Sequence, residues 1–243
     1  MIGSPRQTSV EDSDALPLRS VAIVGGTGKL GAALARRLAR AGVSVSIGSR
    51  DAGRARSTAA QLSASTGRNV GSGTNVDVAS GADMVILTVP YDCHLQALGE
   101  IRTVVAGKIV LDTSVPLVPP KVTRVQLPPE GCAAVAAQRF LGSNTTVVSA
   151  FHHVAAHKLA ADGPIDCDVL VFGDQKQARE TVAKIVAACG LRALHGGVLG
   201  NSAAAEALTS VLIFLNQTYS IDGAGIRITG TLNTEPRECK TAS

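Results

Sequence analysis

Tryptophan is absent from the 243-residue chain, and its aromatic side chains amount to four Phe and two Tyr. Surfaces that stack nucleobases depend on such rings, so nucleic acid is not expected as a partner. Charge is sparse, at 17% of residues and a formal net +4. The one local excess is Arg36, Arg37, Arg40, Arg50, Arg54 and Arg56, which reads either as a solvated helix face or as a holder of phosphates. No apolar run is long and continuous enough to span a bilayer, so no membrane partner is expected. The five cysteines, Cys93, Cys132, Cys167, Cys189 and Cys239, lack CxxC spacing and form no metal pattern with the five histidines. An odd, dispersed set of this kind suits a reducing cytoplasm, with neither a disulfide framework nor a bound metal. Residues 1–19 lack an apolar centre and read as a disordered leader rather than a signal peptide.

What the chain does have is aliphatic bulk: 45% of residues are hydrophobic, which supports a sizeable core. Short β-branched runs alternate with helical patterns, the signature of a parallel sheet wound with helices on both faces. Strands are expected at residues 21–25, 43–48, 69–75, 83–89, 108–112, 145–150, 168–172 and 191–194. Helices are expected at residues 29–40, 51–65, 92–105, 131–141, 175–189 and 201–219. Five prolines within residues 114–130 make that stretch a loop. The last helix is apolar on most sides, so it is buried in its own chain or against a partner, and a homodimer is expected. The domain plan is thus a leader at 1–19, a nucleotide-binding unit at 20–150, a small C-terminal α/β segment at 151–230 for acceptor binding and dimerisation, and a loose tail at 231–243.

Residues 25–31 contain GxGxxG at Gly26, Gly28 and Gly31, placed between an apolar strand and an amphipathic helix. In that context the motif marks the phosphate turn of a Rossmann dinucleotide site. Gly26 is expected to make the tight turn, Gly28 to admit a pyrophosphate, and Gly31 to let helix and sheet approach. At the end of the second strand an NAD-selective site carries Asp or Glu, whereas this chain has Ser49-Arg50 followed by Arg54. A hydroxyl and two guanidinium groups fit a 2′-phosphate, which points to NADP(H). Asp51 lies one residue beyond the usual acidic position.

These stretches, VAIVGGTGKLG (21–31), IGSRDAGRA (47–55), DMVILTVPYD (83–92), VVSAFHHVAA (147–156), VFGD (171–174), LGNSAAAEALT (199–209) and GAGIRI (223–228), resemble the NADPH-dependent reductases of the deazaflavin coenzyme F420. The fold is shared with the NADPH-binding domain of membrane ferric reductases. The resemblance implies hydride transfer between NADP(H) and coenzyme F420. It further implies that Thr27, Gly28, Lys29 and Leu30 meet the pyrophosphate and that Ser49, Arg50 and Arg54 surround the 2′-phosphate. Val89, beside Pro90, and Cys93 would follow the path from adenosine to nicotinamide, His152 and Val154 would border the nicotinamide, and Ala224 would close the pocket. Lys29 departs from a common asparagine and Cys93 from a common histidine.

Hydride transfer between two such rings needs stacking and exclusion of water rather than an acid–base triad. His152 is the catalytic candidate, as a group hydrogen-bonded to the acceptor ring; its other reading is a packing residue at a strand end. Asp112, Thr113 and Ser114 follow a strand's carboxyl end and either contact the acceptor or cap the next turn. Two alternatives keep the NADPH site: reduction of a small C=N or C=O substrate, which requires a proton donor such as His152, Asp112 or Tyr219, and a non-catalytic NADPH-binding regulator.

Overall fold

A computed structural model describes residues 18–231. The expected leader lies outside the described residues except for Leu18 and Arg19, and the expected tail except for Thr231. Strands β1 (Ser20–Val24), β2 (Ser44–Ser49) and β3 (Val70–Thr74) alternate with helices α1 (Lys29–Arg40), α2 (Ala52–Thr66) and α3 (Asn75–Gly81). Then come β4 (Met84–Leu87), a 3-10 turn at Tyr91–Cys93, α4 (His94–Ile101), β5 (Ile109–Asp112), α5 (Ala133–Leu141) and β6 (Thr146–Ser149). The last elements among the described residues are α6 (Ala156–Ala160), β7 (Asp168–Phe172), α7 (Lys176–Ala188), β8 (Arg192–Gly197), a 3-10 turn at Leu199–Asn201 and α8 (Ser202–Tyr219).

All eight strands form one sheet in the order β3-β2-β1-β4-β5-β6-β7-β8. Every pairing is parallel except β6 with β7, where the chain reverses. The C-terminal α/β segment therefore extends the first sheet. Alternation along each strand splits the core between two faces. Val21, Ile23, Met84, Ile86, Leu111 and Val148 pack under α1, α2, α6 and α7. Ala22, Val24, Val85, Leu87, Val110 and Val147 pack under α3, α4 and α5.

Several elements differ from the periodicity reading. The helix expected at 92–105 is a 3-10 turn followed by an eight-residue helix ending at Ile101. Helices α3 and α6 have seven and five residues, too short for a periodic signal. The trace of α3 was its cap: the Thr74 hydroxyl accepts from Asp77 N–H, and the Asp77 carboxylate accepts in return from Thr74 N–H.

The arginine excess divides by position. Arg36 and Arg40 both pair with Asp162, and Arg37 fastens two later segments, residues 158–163 and Cys189, to α1. Its Nε donates to Leu159 O at 2.7 Å, Nη1 to Cys189 O at 2.8 Å, and Nη2 to Ala161 O at 2.8 Å. These carbonyls end α6 and α7, where a cation is favoured by the helix dipole. Half of the basic cluster is thus structural, binding α1 to the C-terminal half of the sheet. Arg37→Met leaves these carbonyls without a donor and should lower unfolding free energy by about 2 kcal/mol in urea titration. An unchanged midpoint and slope would refute this role.

Candidate active site

At the carboxyl ends of β1, β2 and β4, where the strand order reverses, a cleft of about 270 Å³ opens. Open α/β sheets bind ligands at this switch point. Thr27, Gly28, Ser49, Arg50, Arg54, Val89, Pro90 and Cys93 all line the cleft, which brings eight separately singled-out residues together. Thr88, within the 83–92 stretch, joins them, as do Asn75, Gln96, Ala97 and Glu100, none of these four marked by the sequence motifs. Asn75 belongs to the short capped helix, and the other three lie in the ordinary pattern of α4.

The glycine turn works by exclusion of side chains. The positive φ of 76° falls on Gly25, not on Gly26. A Cβ on Gly26 would sit 2.6 Å from Ile47 Cβ, and one on Gly31 would sit 2.6 Å from Thr88 Oγ1 and 2.8 Å from Gly26 Cα. Gly26 and Gly31 therefore let β1, β2, β4 and α1 close up, beneath rather than beside the cleft. Gly28, the N-cap of α1, makes no side-chain cap bond, and no acid stands in the first turn. The first N–H groups of this twelve-residue helix thus face the cleft mouth as a ready anion site. Lys29 is exposed and Leu30 leans on the core; neither lines the cleft.

Arg50 and Arg54 complete this positive end. Both are exposed, and neither guanidinium has a hydrogen-bond or ion-pair partner among the described residues, in contrast with Arg36, Arg37 and Arg40. Asp51 does not offset them, because its Oδ1 accepts from Arg54 N–H at 3.1 Å as the N-cap of α2. Ser49 Oγ in turn accepts from Asp51 N–H at 3.2 Å. The donor set suits a phosphorylated ribose and leaves no carboxylate at the end of β2 to bind a 2′-hydroxyl.

His152, Val154 and Ala224 are not among the residues lining this cleft. His152 is 7% exposed, and its Nε2 is 2.8 Å from Ser149 Oγ. Burial, followed by the neighbouring His153, holds its pKa down at about 3, so its imidazole is neutral around pH 7. Phe151, just before it, has a φ of 70°, which turns the chain sharply after β6. His153 Nε2 lies 2.9 Å from Ala205 O, on α8. Val154 lines a separate cavity of about 330 Å³ with Gly223 and Gly225, and Ala224 N–H donates to Asn216 Oδ1 at 2.7 Å.

Behind the cleft lies a buried polar cluster. His94 Nε2 meets Asp112 Oδ2 at 2.7 Å, each side chain 1% exposed. Burial opposes charge on both groups, yet their mutual hydrogen bond raises the His94 pKa and lowers that of Asp112. Asp112 Oδ1 also accepts from Ser114 N–H, so Asp112 caps its turn and anchors α4. Glu206 of α8 accepts from Ala133 and Ala134 N–H at 2.7 and 3.2 Å, at the N-terminus of α5. Its only sequence signal was a single acid in an apolar helix.

Burial lifts the Glu206 pKa to about 7, against the pull of the two N–H groups. A folded-state pKa above the ordinary 4.5 means stability held in full below 4.5 and lost as pH rises through 7. Urea unfolding at about pH 5 and about pH 8 should show this loss, and Glu206→Gln should flatten it; an equal slope in both proteins would refute the assignment.

The profile of the family described as NADP oxidoreductase coenzyme F420-dependent matches residues 20–116. The F420-dependent NADP reductase of Methanothermobacter thermautotrophicus is 39% identical over 218 residues, covering 86% of this chain and 94% of that one. That of Methanocaldococcus jannaschii is 37% identical over 219 residues, covering 86% and 97%. The crystal structure of a putative F420-dependent NADP-reductase from Arthrobacter sp. FB24 shares the fold, with a TM-score of 0.75 at 24% identity over 88% of this chain and all of that one. Identity of this order, sustained over most of both chains and including the stretch that builds the cleft, makes the protein a member of the coenzyme F420-dependent NADP oxidoreductase family.

Proposed function

We propose that the protein passes a hydride between NADP(H) and coenzyme F420. The observation that carries this reading is the pair of unpartnered guanidiniums, Arg50 and Arg54, beside Ser49 in the cleft, in a chain 39% identical to an F420-dependent NADP reductase. When bound, the nicotinamide and the deazaflavin supply the redox chemistry, one giving and the other taking two electrons with a proton as hydride. The chain's own contribution is to hold and orient. The α1 N-terminus and Thr27–Gly28 backbone take the pyrophosphate, and Ser49, Arg50 and Arg54 take the 2′-phosphate. Val89, Pro90 and Cys93 form the wall leading from the adenosine end.

His152 serves as a neutral hydrogen-bonding group near the acceptor ring, with Val154 and Ala224 in the C-terminal segment, residues 151–230, that receives it. This is not acid catalysis, because burial keeps the His152 imidazole deprotonated. The other two candidates for the proton donor that C=N or C=O reduction demands do not fit that role: Asp112 is locked to His94, and Tyr219 is exposed on α8. Loss of deazaflavin visible absorption on mixing with NADPH, and little with NADH, is the expected assay result. Arg50→Ala with Arg54→Ala should raise the KM for NADPH roughly 100-fold, from about 3 kcal/mol of lost charge-assisted bonding, with the NADH rate unmoved. His152→Ala should raise the KM for F420 and leave that for NADPH. Absence of bleaching despite tight NADPH binding would overturn the acceptor assignment.

The protein acts as a homodimer in the cytoplasm. No helix among the described residues is long and apolar enough to cross a membrane, and Cys93, Cys132, Cys167 and Cys189 are free thiols. Val211 and Phe214, one turn apart on α8, are 41% and 51% exposed. Light scattering should give twice the chain mass, falling to one chain in Val211→Glu with Phe214→Glu; a wild-type monomer would refute the dimer.

A further inference from the structure

We propose that Glu100 recognises the base of the nucleotide, accepting a hydrogen bond from the adenine 6-amino group and so selecting adenine over 6-oxo purines. The inference rests on the nucleotide reading of the cleft and concerns the part of its lining that α4 supplies. One wall is cationic, made by the α1 N-terminus, Arg50 and Arg54. The facing wall is built by α4 and offers Gln96, Ala97 and Glu100.

A carboxylate in a cleft for a polyanion is repelled by phosphate, and the group bonded to this one, the Asn75 amide, carries no charge to offset it. It must face the uncharged, donor-bearing part of the ligand. Glu100 is held ready for this task. Its Oε2 accepts from Asn75 Nδ2 at 2.9 Å, and Asn75 is itself 4% exposed, so the carboxylate is steered by a buried neighbour. Oε1 accepts no hydrogen bond among the described residues. One turn away, the largely buried Ala97 lines the same cleft and sets no competing polar group beside the carboxylate. The adenine amino group presents only protons to such an acceptor, whereas the 6-oxo group of hypoxanthine presents a lone pair. Sites built to accept a hydrogen bond reject analogues that cannot give one, since the acceptor is left unpaired.

The test is calorimetric binding of NADPH and of its hypoxanthine analogue to the full-length protein, with no acceptor present. Wild-type protein is expected to bind NADPH at least about tenfold more tightly than the analogue. In Glu100→Gln, whose amide can donate to the 6-oxo oxygen, the ratio should fall to about threefold or less. Equal wild-type affinities overturn the proposal while leaving the NADPH site standing. A ratio unchanged in E100Q, with both ligands weakened alike, also overturns it and makes Glu100 a structural partner of Asn75. If wild-type protein binds neither ligand, the nucleotide reading itself falls and takes the proposal with it. Should E100Q not fold, the wild-type ratio decides, with Glu100→Asp, which withdraws the carboxylate by one methylene, expected to narrow the ratio.

Discussion

At Gly26 and Gly31 the main chains of β1, β2, β4 and α1 come so close that a single methyl group has no room. Gly26 N–H donates to Gly48 O at 3.0 Å, stitching the turn to the end of β2, while Thr88 fills the space beside Gly31. This contact fixes the direction of α1, and with it the N-terminal amides that face the cleft. It also sets the distance between those amides and the arginines after β2. The cationic end of the cleft is thus a consequence of backbone packing, with the side chains Ser49, Arg50 and Arg54 added at its rim.

A second constraint runs through the buried charges. His94 with Asp112, and Glu206 with the amides of α5, tie α4, β5, α5 and α8 together by partners rather than by apolar contact. Buried charges survive only when so satisfied, and each loses much of its value if one partner goes. Their presence explains how α8, alanine-rich at its start, is seated against the N-terminus of α5 and the turn after β6 while its second half keeps Val211 and Phe214 exposed. Arg37 plays the equivalent part on the other face of the sheet, where the ends of α6 and α7 meet α1.

The two ends of the proposed reaction are unequally built in the single chain. The nucleotide end is assembled in one cleft from β1, β2 and β4. His152, Val154 and Ala224 lie instead around the C-terminal segment, where β7 reverses direction and residues 221–228 fold back along it. Asp168 anchors that return: its N–H donates to Ile226 O, and its carboxylate accepts from Ile228 N–H.

The sequence by itself determined the alternating α/β plan and the α1 and β7 boundaries, and it singled out Thr27, Gly28, Ser49, Arg50 and Arg54, which the fold brings into one cleft. Those features are local: strand and helix periods, a glycine spacing and a side-chain choice one residue past a strand all reside in contiguous stretches. It did not reveal α3 and α6, whose few residues carry too little period to register. Only the tertiary structure decided which arginines are free, because Arg36, Arg37 and Arg40 differ from Arg50 and Arg54 solely in what α6 and α7 bring to them. The same holds for Asn75, Glu100 and Glu206. Their partners lie 25 to 73 residues away in sequence, and such pairings exist only once the sheet has ordered its strands.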